Sequence, residues 1–153
     1  MNAYKTNPGA FKALFGFGTY LSNSSIEEHL LNLVYHRVSQ INGCAYCLDM
    51  HSKDLRAHGE SEQRLYLLDA WREAPFYTDR ERAALAWAEA VTNLHEGHVP
   101  DDVYEEARTK FSEVELLDLT IGVLAINNYN RINIAFRAEA GSYKPGIHAV
   151  LAN

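Results

Sequence analysis

From Ser25 onward, apolar residues recur at the spacing of one helix face: Ile26, Leu30, Leu33, Val34, Val38 and Ile41. That stripe predicts a helix closing near Asn42-Gly43, and a second from about Cys44 to Gly59, where glycine suits a left-handed cap. A third is expected from Ser61 through Leu65, Leu68 and Trp71 to Pro75. The alanine-rich stretch over residues 79–94 has strong helix composition. Residues 95–100 read as loop, 103–111 as a short helix and 113–137 as a long one. In the long helix, Leu116, Leu117, Leu119, Ile121, Val123 and Leu124 already cover nearly all azimuths. A helix apolar all round is covered on all sides, by its own domain or by a neighbouring subunit.

Polar punctuation agrees with these boundaries. Asn7-Pro8 is a helix start, and Ser/Thr-x-x-Glu boxes stand at Ser25–Glu28, Thr78–Glu81 and Ser112–Glu115. No strand-period alternation of useful length interrupts the helices, so the expected fold is all-α and a single domain over residues 1–153. Gly16, Gly18 and Gly122 fall inside helices, where close backbone packing would explain them. Asn127, Asn128, Asn130 and Arg131 break the apolar run of the last helix. Buried polar groups need partners, so these residues frame either a pocket or, the preferred reading, an intersubunit network. The tail over 141–153 is expected to be irregular and to lie over a partner subunit.

Composition narrows the function. The chain is 47% hydrophobic and 22% charged, too apolar for disorder. Its formal charge of -6, without a long lysine or arginine run, offers nothing to a nucleic acid. The start lacks a signal-peptide core, and the longest apolar run, 121–126, is far too short to span a bilayer. The expectation is a cytoplasmic protein with no membrane and no nucleic-acid partner. Only 2 cysteines are present. They stand three apart, so they form no secreted-type disulfide framework.

The chemistry gathers there. On a helix starting near Cys44, the side chains of Cys44, Cys47 and His51 fall within an arc of roughly 80°. The two thiols are close enough to pair, and Cys47 with His51 is an (i, i+4) contact. Unsatisfied N–H groups, the helix dipole and the imidazole can each favour a thiolate. His51 can also act as a base. Because His51 lies one turn from Cys47 and two from Cys44, Cys47 is the expected attacking thiol and Cys44 the resolving one. Metal binding, with zinc on Cys44, Cys47 and His51, and plain core filling are the other readings of such a pair.

The run Arg37-Val38-Ser39-Gln40-Ile41-Asn42-Gly43-Cys44-Ala45-Tyr46-Cys47-Leu48-Asp49-Met50-His51 resembles the alkyl hydroperoxidase D-like (AhpD-like) core of the carboxymuconolactone decarboxylase superfamily. The similarity extends through Gly59-Glu60, Trp71 to Pro75, Glu81 to Leu85 and Asn127 to Arg131. It implies an AhpD-like helical bundle that assembles as a homo-oligomer, a trimer or hexamer. It also implies a peroxidase for organic hydroperoxides, reduced by an external dithiol or a disulfide-reducing protein, with no cofactor. By position, Cys47 would be the peroxidatic cysteine, Cys44 its disulfide partner and His51 part of the proton relay. The superfamily's other branch implies a lactone decarboxylase that needs no cysteine pair, and a noncatalytic helical protein would leave the phasing of the cysteines and histidine unexplained.

One position departs from the pattern. Familiar members carry a glutamate twelve residues before the first cysteine, where this chain has Asn32. An amide can hold a proton donor but cannot accept a proton at neutral pH. Glu28, one turn before, or His36, one turn after, are the candidate substitutes in the relay. The plainer reading is preferred: Glu28 completes the box begun by Ser25, and His36 belongs to the polar face. The family histidine before the second cysteine is replaced by Tyr46, which lines the pocket or packs. His58 is read as a helix C-terminal residue meeting the dipole, and His95 and His98 as exposed loop residues.

Overall fold

The computed structural model describes residues 3–146 of the chain. It holds eight α-helices: α1 (Ala3–Thr6), α2 (Pro8–Leu21), α3 (Glu28–Asn42), α4 (Ala45–Ala57), α5 (Glu62–Leu67), α6 (Asp79–Thr92), α7 (Asp101–Lys110) and α8 (Glu113–Ala135). Short 3-10 turns follow α5 and α6, over Leu68–Ala70 and Leu94–Glu96. Among the described residues there is no strand. None of these helices is long and apolar enough to cross a membrane.

Most of the expected starts form as read. Asn7 accepts from the Ala10 N–H ahead of Pro8, and both Thr78–Glu81 and Ser112–Glu115 close as reciprocal capping boxes. The box at Ser25 does not form. The N-cap of α3 is Glu27, without a side-chain bond, because Asp118 of α8 takes both donors of Ser25, the N–H at 3.0 Å and the hydroxyl at 2.8 Å. Tyr20 of α2 donates to the same carboxylate at 2.6 Å. Burial pushes the Asp118 carboxyl up, yet these bonds outweigh it and hold it below the usual range. A tertiary acceptor thus captures a residue that local pattern assigns to a cap.

The core lies between α3, α6 and α8, with Val34, Val38, Ala84, Ala88, Leu119 and Val123 at its centre. A satellite under the 3-10 turn gathers Leu33, Leu68, Trp71, Tyr77 and Leu85. Glu89 of α6 ties the two together, accepting from Arg37 of α3 at 2.7 Å and from the Trp71 indole at 2.8 Å.

Gly122 lets α8 approach α3: a Cβ there would stand 2.8 Å from Leu31 Cδ2 and 3.6 Å from Tyr35 Cε1. Gly16 and Gly18 have open space instead, with nothing within 4 Å of a built Cβ, so within the chain they serve no close packing. Nor is α8 covered on all sides by its own chain. Val114, Leu117 and Leu124 are 62%, 59% and 44% exposed. Of these, Leu117 lines an apolar groove of about 390 Å³ together with Ala13, Gly16, Phe17, Tyr20 and Ile121.

After α8 the chain is irregular and returns over α4 of its own molecule. Lys53 donates to the carbonyls of Gly141 and Tyr143, at 3.2 Å and 3.1 Å, and the buried Tyr143 donates to Asp54 at 2.8 Å. This part of the tail therefore packs on the chain itself; residues 147–153, expected over a partner, lie outside the described residues.

Candidate active site at the turn between α3 and α4

Gly43 creates the site by ending α3 in the left-handed conformation, φ 68°. Its N–H reaches the Gln40 carbonyl at 3.2 Å and the next N–H, of Cys44, reaches Ser39 at 3.1 Å, the paired bonds of a Schellman turn. The chain leaves that turn directly into α4, with Cys44 at the N-cap, as the phasing required. Cys44 Sγ accepts from the Cys47 N–H at 3.4 Å. The two cysteines form a disulfide with Cα atoms 5.4 Å apart. Both are sealed from solvent, Cys44 at 1% exposure and Cys47 at 0%.

His51 is buried one turn further along α4, its ring 5.3 Å from that of Tyr35 on α3. Burial raises the Tyr35 hydroxyl far above the ordinary phenol range, so the ring faces the histidine as a neutral group. Cys44, Cys47 and His51 are therefore brought to one buried corner where α3, α4 and α8 meet.

The other relay candidates are placed differently. Asn32 is half-buried and turns its amide back on its own helix, donating to the Glu28 carbonyl at 3.1 Å. Glu28 is an exposed residue of the first turn of α3 and completes no box with Ser25. His36 is not on a polar face but buried, and burial lowers its pKa to about 4, so it is neutral at pH 7. Tyr46 is half-buried. His58 caps α4, its Nδ1 2.8 Å from the Asp54 carbonyl, as expected for a C-terminal residue. Among the described residues, no group of three or more histidine, cysteine or acidic side chains is arranged to hold a metal ion.

Asn127 and Asn130, the buried members of the polar interruption of α8, turn inward on the chain itself. Asn42, at the end of α3, donates to Asn127 at 3.0 Å and to Asn130 at 2.9 Å, and Asn130 donates to Ser39 at 3.0 Å. Arg131 folds back on Asn127. These amides clamp the Schellman turn that carries the cysteines.

Two residues of the site are not evident in the sequence. Asn133 Nδ2 lies 3.3 Å from Cys47 Sγ, and the Tyr4 hydroxyl donates to Asn133 Oδ1 at 2.9 Å. Asn133 is one step along the stripe already marked by Asn127 and Asn130, so spacing could have flagged it. Nothing local could have flagged Tyr4, 129 residues away.

Residues 8–90 match the carboxymuconolactone decarboxylase family. The chain is 41% identical to the uncharacterized protein YdfG of Bacillus subtilis over 91% of its own length and 95% of that protein's. It superposes with a TM-score of 0.89 on a protein of unknown function from Agrobacterium tumefaciens, provisionally named for the antioxidant defence protein AhpD. That pair is 43% identical over 94% of this chain and 98% of the other. The debrominase Bmp8 shares the fold, with a TM-score of 0.80 at 22% identity, over 90% of this chain and 74% of that one.

Proposed function

The chain belongs to the carboxymuconolactone decarboxylase family and has its AhpD-like all-helical fold, and on that premise we propose that it is a thiol peroxidase, acting as one helical domain, that reduces organic hydroperoxides. One observation carries the reading: the buried Cys44–Cys47 disulfide at the start of α4, with His51 one turn beyond it.

In the proposed cycle the Cys47 thiolate attacks the outer peroxide oxygen. The O–O bond breaks, and the alkoxide leaves as an alcohol after taking a proton, with His51 the nearest candidate on α4. Cys47 is then a sulfenic acid. Cys44 attacks that sulfur, hydroxide departs as water, and the disulfide closes. An external dithiol or disulfide-reducing protein supplies the two electrons and two protons that restore both thiols. Since both sulfurs are sealed in the disulfide form, entry of peroxide and reductant requires local opening of the corner.

Glu28 and His36 have no part in this proposal, one being exposed and the other buried as a neutral ring. Asn32, standing where familiar members of the resembled family carry a glutamate, leaves the relay without that carboxylate, and His51 is the base that remains. The reduced protein should consume cumene hydroperoxide and gain the Cys44–Cys47 disulfide, read by mass spectrometry, one bond per peroxide. Asn32→Glu should raise the rate about tenfold or more, the lower range of a positioned base. Peroxide loss that leaves both thiols free would overturn the reading.

The exposed stripe of Val114, Leu117 and Leu124 supports a further element of it, assembly with other copies of this chain as a trimer or hexamer.

A further inference from the structure

The amide of Asn133 has only one orientation that satisfies both of its neighbours. A disulfide sulfur carries no proton and can only accept, so the NH2 end must face Cys47 Sγ, 3.3 Å away. The carbonyl end then meets the Tyr4 hydroxyl, which donates at 2.9 Å. Tyr4 thereby locks the amide with its donor toward sulfur. The arrangement is buried, with Asn133 5% exposed and Cys47 at 0%, and a hydrogen bond to a charged group counts most where water is excluded. It also sits where the fold alone works against a thiolate. Asn133 belongs to the last turns of α8, whose C-terminal end is the negative end of the helix dipole.

We propose that Asn133 is a catalytic hydrogen-bond donor to the Cys47 thiolate, that Tyr4 is the positioning residue that aims it, and that together they make Cys47 the sulfur that carries negative charge in both halves of the cycle. The proposal rests on the reading of Cys47 as the reacting thiol. It also gives the disulfide a direction of opening. When the thiolate of an external dithiol attacks Cys44 Sγ, a new S–S bond forms there and the Cys44–Cys47 bond breaks. Its electron pair leaves on Cys47 Sγ, where the Asn133 N–H receives it. The second thiol of the dithiol then displaces Cys44, and both electrons have come from the dithiol. A better stabilised leaving thiolate departs faster.

The elements meeting here bring few competing titrations. Tyr46 of α4, Tyr35 of α3 and Tyr4 of α1 are all pushed up, chiefly by burial, and stay neutral while a thiol ionises. Tyr129 of α8 is likewise raised by burial, Asp49 and Asp54 of α4 act on Tyr46, and His51 lies one turn from Cys47; all four are unchanged in every variant below. The main-chain N–H of Cys47 points at Cys44 Sγ, so the helix end serves the other sulfur. Asn133 and the helix start thus favour different cysteines, and titration separates them.

The test uses the full chain with Cys44→Ser, so that Cys47 alone titrates, followed by thiolate absorbance near 240 nm against pH. Asn133→Leu should move the Cys47 titration alkaline by about one unit, a tenfold loss of thiolate below that range. Tyr4→Phe should move it the same way by less, and Asn133→Asp, which replaces the donor by a charge that repels the thiolate, by more. In the complementary Cys47→Ser background, Asn133→Leu should leave Cys44 within about 0.3 unit of its parent. Equal shifts of both cysteines would mark general loosening of the corner and overturn the proposal. So would Cys47 titrating unchanged in Tyr4→Phe, a variant that loses a single hydroxyl and keeps the test valid if Asn133→Leu does not fold. No peroxide enters these measurements. A wild type inert to hydroperoxide but with Asn133-dependent ionisation would defeat the peroxidase reading and leave only the Asn133-stabilised Cys47 thiolate and the direction of disulfide opening standing.

Discussion

The two halves of α8 reverse the usual assignment of residues to inside and outside. Its first half exposes Val114, Leu117 and Leu124, while its second half buries Asn127, Asn130 and Asn133. Each inversion has its own cause. Asn130 is fully buried because Asn42 and Ser39 satisfy it. Val114, Leu117 and Leu124 are exposed because no other element of the described chain packs over them, and they are the surface that the proposed assembly would cover. The difference lies in what each end touches: a turn carrying two sulfurs at one, and the open groove beside α2 at the other.

That contrast can be broken experimentally, most forcefully at the buried amides. Asn130→Ala removes two buried hydrogen bonds and opens a cavity, and should cost about 4 kcal/mol in urea unfolding. A loss below about 1 kcal/mol would show that the network is not what holds the Schellman turn.

A satisfied buried polar group should also behave differently from an unsatisfied one, and His36 supplies the comparison. Among the described residues its Nδ1 has no hydrogen-bond partner. Burial lowers its pKa from 6.5 to about 4. The folded state therefore resists a proton that the unfolded chain accepts. Stability is complete above pH 6.5 and falls as pH drops from 6.5 toward 4, by about 3 kcal/mol in all. His36→Gln should flatten that part of the stability curve; an unchanged acid limb would place the titration elsewhere.

The smallest effect on folding is expected at the exposed end. Leu117→Lys should shift stability by less than about 0.5 kcal/mol, yet abolish self-association in sedimentation velocity. An unaltered oligomer would remove this stripe from the interface.

Much of the fold was legible because its signals are local. Capping boxes at Thr78 and Ser112, the left-handed Gly43 and the one-face phasing of Cys44, Cys47 and His51 each depend on neighbours within a few residues. What escaped depends on distant ones. Ser25 looked like a cap until Asp118, 93 residues later, took its donors. Gly122 does admit a close approach, whereas Gly16 and Gly18 have nothing near them, and no sequence pattern separates the cases. At the site, the Asn127–Asn130 interruption was visible but its inward direction was not. Asn133 and Tyr4 became part of the site only through a contact that joins the end of α8 to α1.

The most direct measurement of the central claim is stopped-flow mixing of the reduced chain with cumene hydroperoxide, for wild type, Cys44→Ser and Cys47→Ser. Wild type should show a burst that ends in the disulfide. Cys44→Ser should give a single turnover arrested at a sulfenic acid that dimedone traps on Cys47, and Cys47→Ser should give no burst. A full burst in Cys47→Ser, or a sulfenic acid on Cys44 in the wild type, would contradict it.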